Sequence, residues 1–453
     1  SVDVAEPPFC RQRFPRGDPV SEVITAPAAP TGVSSTFLRD ARGLQRKLVE
    51  EYYGRLAPGE GPRRPVAYML VGGNLTEIVR SFGYDVVFPE IVALNCAIKH
   101  QSLDNILHAE SLGYGLDVCG YVKNDLGLQD LGGKTSFGQI PRPDLLVCSF
   151  SGCYIYVKWW EALAESYGAP LFMFDVPYMR DETPRKEDID YLVSQLWELV
   201  HLLEKRTGRA FDMDELKRVL AESRRAEDGW VEFLRAGRLR PSPIEAYFES
   251  IFYMFPINVL RGTPEAADFY GVVNEEVRAR VRDGNYPLPE EKYRVLVEGV
   301  PPYTNYRTFW DFFRKWGAVS VVATYPKVGG LFDRGFRHDP TRPFESIAEY
   351  SLGAYVNQSW PLRRKIIADY VKEYQADAAI IHGIKSCRSF TAGQGDLRDW
   401  LIHEQGLPTL YIESDHEDPR YFAPAQIKNR MDAFFESLEQ RRAVAAAVGA
   451  ATA

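Results

Sequence analysis

PDLLVCSFSGC, residues 143–153, reads as a buried strand running into a cysteine-bearing loop, and DAAIIHGIKSC, residues 377–387, repeats the reading. A short, nearly continuous apolar run bounded by turn residues is what a parallel strand covered on both faces needs. After each stretch the chain follows the same order: a helical segment, Gly-x-Pro, a second strand and an acidic residue, in GAPLFMFD (168–175) and in GLPTLYIESD (406–415). One plan used twice predicts an α/β fold of two doubly wound parallel-sheet lobes, flavodoxin-like in plan, with right-handed crossovers. Ligands of such sheets bind outside the carboxyl ends of the strands. Cys153 and Cys387 both lie there. Lobes that faced each other would bring both thiols to one cleft.

The pattern extends outward from these two stretches. Residues 1–34 carry many prolines and little apolar periodicity and read as an N-terminal arm. An amphipathic helix is expected from a Ser35 cap to just before Pro58. PVAYMLVG, NLTEIVRSFG and YDVVFPE then alternate strand, helix, strand, and IVALNCAIKHQSLDNILHAESLG (91–113) reads as one longer helix. These place a first α/β lobe at 35–182. Charged segments of helical period at 183–290 read as a helical bridge, and strand–helix alternation resumes in a second lobe with a C-terminal helix at 291–453.

Composition bounds the function. At 453 residues, 45% hydrophobic, the chain can bury substantial cores. Its formal charge of -8, with both signs interspersed, offers no basic stripe for a phosphate backbone, so nucleic acid is not an expected partner. With no run of eighteen apolar residues and no secretory pattern, neither a membrane span nor export is expected, and a cytoplasmic location is. Six widely spaced cysteines suit a reducing compartment, where thiols stay free or bind metal.

Other motifs weaken on inspection. Gly127–Thr135, GLQDLGGKT, has one residue too many for a phosphate-binding loop and no buried strand before it. TAGQGDLRDWL (391–401) could cradle an anion such as a CoA phosphate, or simply start a helix. The histidines show no paired spacing, and no close Cys-x-x-Cys pair suggests zinc. Trp159 and Trp160 could wall a dry cleft or lie in the core. Each cysteine could equally be a small buried hydrophobe.

GLDVCGYVKNDLG (115–127), PDLLVCSFSGCYIYVKWWEALAESYGAPLFMFD (143–175) and HGIKSCRSF (382–390), in this order, resemble the family of 2-hydroxyacyl-CoA dehydratases and ATP-dependent benzoyl-CoA reductases over roughly residues 65–430. FPEIVALNCAIKHQS (88–102) with CGYVKNDLG is more similar to the larger cluster-bearing subunit of class I benzoyl-CoA reductases than to a dehydratase. The resemblance implies that Cys119, Cys153 and Cys387 ligate one four-iron four-sulfur cluster, leaving one iron open. It places Glu90 near the cluster, as a proton donor or ligand-orienting group or merely as a helix-start carboxylate. Cys148 and Cys96 read as core, and Cys10 as part of the arm. The implied activity is ferredoxin-driven reduction of an aryl-CoA to a cyclic dienoyl-CoA. Its implied partners are a paralogous cluster-bearing subunit and ATP-hydrolysing activator subunits, with no nucleotide on this chain. Dehydratases supply a serine after the first strand; here the sequence is VGGNL (71–75), a departure that weighs against a dehydratase. A dehydratase forming a ketyl radical, a double-cubane reductase and a non-catalytic electron-carrying or scaffolding subunit are the competing readings.

Overall fold

A computed structural model of the protein describes residues 38–57 and 63–452. The predicted arm and the Ser35 cap lie outside the described residues. Helix α1 (Arg39–Leu56) begins later than the cap placed it, and its first amides are satisfied from a distance. The Leu38 N–H donates to the Tyr253 hydroxyl at 3.0 Å, and those of Asp40 and Ala41 donate to the Glu276 carboxylate at 3.1 and 2.7 Å.

The first α/β region comprises β1 (Val66–Tyr68), α2 (Thr76–Ser81), β2 (Asp85–Val87), α3 (Pro89–Ile98), α4 (Ser102–Ser111) and α5 (Gly120–Asp130), then a small hairpin of β3 (Lys134–Thr135) and β4 (Gly138–Gln139), and finally β5 (Leu145–Phe150), α6 (Ile155–Tyr167) and β6 (Leu171–Asp175). The helices α7 (Lys186–Thr207), α8 (Met213–Arg235), α9 (Glu249–Val259) and α10 (Pro264–Asp283) follow. The second region runs β7 (Tyr293–Glu298), α11 (Tyr306–Arg314), β8 (Ala318–Ala323), α12 (Pro343–Leu352), α13 (Trp360–Glu373), β9 (Ala378–Ile384), α14 (Arg388–Thr391), α15 (Gln394–His403), β10 (Thr409–Ser414) and α16 (Pro424–Thr452).

Both sheets are parallel, with orders β2-β1-β5-β6 and β10-β9-β7-β8. In the first lobe the order is second, first, third, fourth; in the second lobe, read from its other edge, it is second, first, third, fourth again. The repeat read from residues 143–153 and 377–387 is thus a repeat of topology. The central strands β7 and β9 are buried along their whole length, whereas the edge strands β6 and β10 are partly exposed. Burial of β5 and β9 inside their sheets is why the third strand of each lobe reads as a nearly continuous apolar run.

The single helix expected over residues 91–113 is instead two. His100 adopts a left-handed φ of 58°, and the Gln101 N–H turns back to the Cys96 carbonyl at 2.8 Å, closing α3. The next helix starts at Ser102, whose buried hydroxyl donates to the Glu417 carbonyl at 2.7 Å. A contact with the second lobe therefore marks the break. Trp159 and Trp160 are buried in the core, as are Cys96 and Cys148. Residues 127–135, the rejected phosphate loop, form the end of α5 and the turn into β3. No helix among the described residues is long and apolar enough to cross a membrane.

Candidate functional site

In a sheet of order 2-1-3-4 the chain moves one way from the first strand to the second and the other way to reach the third. The crevice beyond the carboxyl ends of the first and third strands is where ligands sit. The loops leaving β1 and β5 supply Val71 and Cys153, those leaving β7 and β9 supply Val300 and Cys387, and all four residues line one cavity of 510 Å³. The two crevices thus face each other across a shared space. Cys119, at the N-cap position of α5, lines the same cavity.

Two glycines make this convergence possible. Gly120, next to Cys119, abuts the second lobe so closely that a Cβ there would lie 2.7 Å from the Glu417 Cβ, and its N–H donates to the Ser386 hydroxyl at 3.0 Å. Gly152, next to Cys153, has φ +78° and would place a Cβ 2.4 Å from the Val356 carbonyl oxygen.

All three thiols stand at the start of a helical turn. Burial, and then the neighbouring Cys387 and Cys153, push the Cys119 thiol well up, while the N–H groups of Val122 and Tyr121 pull it back. Burial and Cys387 push Cys153 up to about 12, opposed by the Ser389 side chain and the Ile155 N–H. Burial pushes Cys387 up to about 11, opposed by the N–H groups of Phe390 and Ser389. Backbone N–H groups near a sulfur favour the thiolate, the form that binds metal, and a bound cationic centre would offset the cost of burial. None of the three is in a disulfide. Among the described residues no group of three His, Cys, Asp or Glu side chains closes on a single metal ion. A cluster carries its thiolates on different iron atoms, so it asks for thiols around a space rather than at a point. The donor set fits such a group.

Glu90 lies in the first turn of α3, as its helix-start reading held, and it also lines the cavity. Its Oε2 accepts from the Val71 N–H at 2.6 Å and its Oε1 from the Tyr156 hydroxyl at 2.6 Å. Burial raises its pKa, and these two bonds oppose the rise. Ile91, Leu94 and Ile98 continue along the same face of α3 to Lys99 at the other end, a span of about 13 Å at the helical rise. Ile251, Phe252 and Phe255 are further apolar groups of the lining.

The sequence did not single out Tyr121, Tyr156 or Tyr325, which also line the cavity, nor His416, whose Nε2 is 4.0 Å from the Cys119 Sγ. The Ser414–Asp418 run that ends β10 and follows it offered a signal, since polar residues clustered at a strand's carboxyl end commonly serve a site. Asp415 accepts from the Ser386 N–H and hydroxyl at 3.0 and 2.6 Å and so braces the Cys387 loop. In the VGGNL segment, the Gly72 carbonyl accepts from the Ser151 hydroxyl at 3.0 Å. Gly393, in the stretch considered for anion binding, packs on Trp360 and starts α15. A larger hollow of 830 Å³ opens at the amino ends of β1, β2 and β5, with Arg80, Arg206 and Arg209 in its lining, and contains no cysteine.

A duplicated α/β protein that gathers thiols from both lobes at facing switch points defines a class with room for a prosthetic group between its halves. The chain belongs to the 2-hydroxyglutaryl-CoA dehydratase D-component family, whose model matches residues 75–438. Over 407 residues it is 39% identical to one of the subunits of benzoyl-CoA reductase from Thauera aromatica, covering 88% of this chain and 94% of that protein. It is also similar to the (R)-2-hydroxyisocaproyl-CoA dehydratase alpha subunit of Clostridioides difficile, at 28% over 410 residues, 89% of this chain and 97% of that one. The (R)-phenyllactyl-CoA dehydratase alpha subunit of Clostridium sporogenes is 27% identical over 371 residues, 81% and 88% of the two chains.

Proposed function

We propose that this chain is the iron-sulfur subunit of an ATP-dependent benzoyl-CoA or related aryl-CoA reductase, with Cys119, Cys153 and Cys387 holding one four-iron four-sulfur cluster. The observation that carries the reading is that these cysteines, from three separated segments, line one largely apolar cavity. The benzoyl-CoA reductase relative, at 39% identity against 28% for the first dehydratase subunit, favours ring reduction over dehydration. When bound, the cluster would supply electrons one at a time at low potential.

The protein's own side chains provide the rest. Phe252, Phe255, Ile91 and Leu94 form a wall that suits a flat ring and keeps water from a reactive radical anion. A cavity of 510 Å³ is in the range that takes a small organic group. Glu90 would hold a proton or orient substrate beside Cys153. Electrons would come from ferredoxin through a separate ATP-hydrolysing activator, with a paralogous cluster-bearing subunit completing the complex in the cytoplasm.

Two measurements test this. Anaerobic iron and sulfide analysis of single Cys→Ala variants should show loss of the cluster at 119, 153 and 387; normal iron in all three refutes the ligand set. The assembled complex, given reduced ferredoxin and ATP, should convert benzoyl-CoA to a cyclic dienoyl-CoA. Dehydration of a 2-hydroxyacyl-CoA with no action on benzoyl-CoA would assign the chain to the dehydratase branch instead.

A further inference from the structure

Charged and polar side chains of α1 and α3, among them Arg46, Glu50 and Lys99, line part of the cavity, while several of its other polar groups are already committed within the protein. Both Glu90 oxygens already accept hydrogen bonds, and Tyr156 is committed to Glu90. The Ser389 hydroxyl donates to the Gly152 carbonyl at 3.2 Å, the Asn258 amide to the Met254 carbonyl at 2.9 Å, and the Asn95 amide to the Ile91 carbonyl at 2.7 Å. A different arrangement stands beside them. Tyr121, Tyr303 and Tyr325, from α5 and the loops leaving β7 and β8, are buried with their hydroxyls in one ring. Tyr121 and Tyr303 oxygens are 2.9 Å apart, Tyr121 and Tyr325 oxygens 3.1 Å apart, and the Tyr303 hydroxyl donates to that of Tyr325.

That last bond gives the ring a direction. Because Tyr325 accepts from Tyr303, its own proton has only the Tyr121 oxygen, at the longest of the three separations, as acceptor within the ring. Tyr121 and Tyr325 line the cavity and Tyr303 does not, and of those two it is Tyr325 whose proton is held across the longer separation, 3.1 Å against 2.9 Å. A carbonyl oxygen entering the cavity can therefore take the Tyr325 proton as a hydrogen bond for the loss of one weak bond. What remains is a chain in which Tyr121 donates to Tyr303, Tyr303 to Tyr325, and Tyr325 to the ligand. Each bond in such a chain polarises the next, and in a dry site the effect is not screened. The Tyr303 N–H also donates to the His416 carbonyl at 3.0 Å, which holds the middle of the chain in place.

We propose that Tyr325 is a catalytic residue whose hydroxyl donates a hydrogen bond to the thioester carbonyl oxygen, with Tyr303 and Tyr121 as positioning residues behind it. This rests on the reading of the cavity as the site where the ring of an aryl thioester is reduced. One electron added to an arylcarbonyl thioester puts negative charge on the carbonyl oxygen, so the bond strengthens as the radical anion forms, and Tyr325 keeps its proton throughout. A preorganised donor of this kind acts on the transition state more than on binding.

The test uses the assembled, cluster-loaded complex without reductant and benzoyl-CoA carrying ¹³C at the carbonyl. Isotope-edited infrared spectra should show the bound carbonyl stretch at higher frequency in Tyr325→Phe than in the wild type, with Tyr303→Phe between them. In turnover, Tyr325→Phe should lose about 100- to 1,000-fold in kcat with little change in KM and unchanged iron. If benzoyl-CoA binds and neither variant moves its carbonyl stretch, the donor assignment is overturned while the functional reading stands. If the wild-type complex binds no benzoyl-CoA, the functional reading falls first and the donor assignment falls with it.

Discussion

Gly120→Ala should separate Cys119 from the other two cysteines without unfolding the protein. A methyl group at residue 120 would meet the Glu417 Cβ at 2.7 Å and the Asp415 Oδ1 at 2.9 Å. Carbon–carbon contacts are comfortable at about 3.5–4.0 Å, so about 1 Å must be found. Neither neighbour can give easily. Glu417 and Asp415 are fully buried, and Asp415 is tied by the Ser386 hydroxyl and by the N–H groups of Glu417 and Asp418. The start of α5 must therefore move away, which stretches the Gly120 N–H bond to Ser386 beyond hydrogen-bonding range. Overpacking costs about 1–3 kcal/mol and the lost bond about 1 kcal/mol, or about 2–4 kcal/mol together. The displacement carries Cys119 with it. Urea unfolding should show a lower midpoint at unchanged slope, and anaerobic reconstitution should give markedly less iron than the wild type. Gly271→Ala is the control, since nothing lies within 4 Å of a Cβ there in α10, and it should be neutral or stabilising by up to about 1 kcal/mol. Wild-type stability and full iron in Gly120→Ala would refute the claim that close approach of the lobes at residue 120 sets the cysteine geometry.

Cys96→Ala and Cys148→Ala should each keep normal iron and lose about 1–2 kcal/mol of stability, because both thiols are packed in the core outside the cavity lining; iron loss in either would redraw the ligand set. Glu90→Gln retains partners for the Val71 N–H and the Tyr156 hydroxyl, so iron should be unchanged while ring reduction falls about 100-fold or more; unchanged turnover would leave Glu90 as a helix-start carboxylate only. His382 is buried, and burial lowers its pKa from 6.5 to about 4, against the pull of its bond to the Val300 carbonyl. The unfolded chain then binds more protons than the folded one between those values, so this group's contribution is lost as pH falls, by about 2 kcal/mol between pH 7 and 5. Urea midpoints for wild type and His382→Gln over that range should show that the extra acid loss belongs to the wild type. Glu245, raised to about 7 by burial, works in the opposite direction and is common to both proteins.

The duplicated plan was legible because a strand buried on both faces leaves a nearly continuous apolar run, and β5 and β9 each leave one before a cysteine. Cys153 and Cys387 were legible as cysteines just past matching strands, whereas Cys119 and Glu90 were singled out through a family resemblance; all four line one cavity. It could not find the break at His100, where no glycine marks the left-handed residue and the reason for the turn lies in the bond from Ser102 to Glu417 in the other lobe. Nor could it find the start of α1, whose amides are satisfied by Glu276 and Tyr253. The tyrosine ring was invisible for the same reason: Tyr121, Tyr303 and Tyr325 sit in three unrelated segments, and each alone is one aromatic residue among many. Periodicity records which face of an element is buried, a property of neighbours along the chain. Which groups meet across a cavity depends on how two lobes are docked, and only the tertiary structure sets that, here through contacts as close as Gly120 against Glu417.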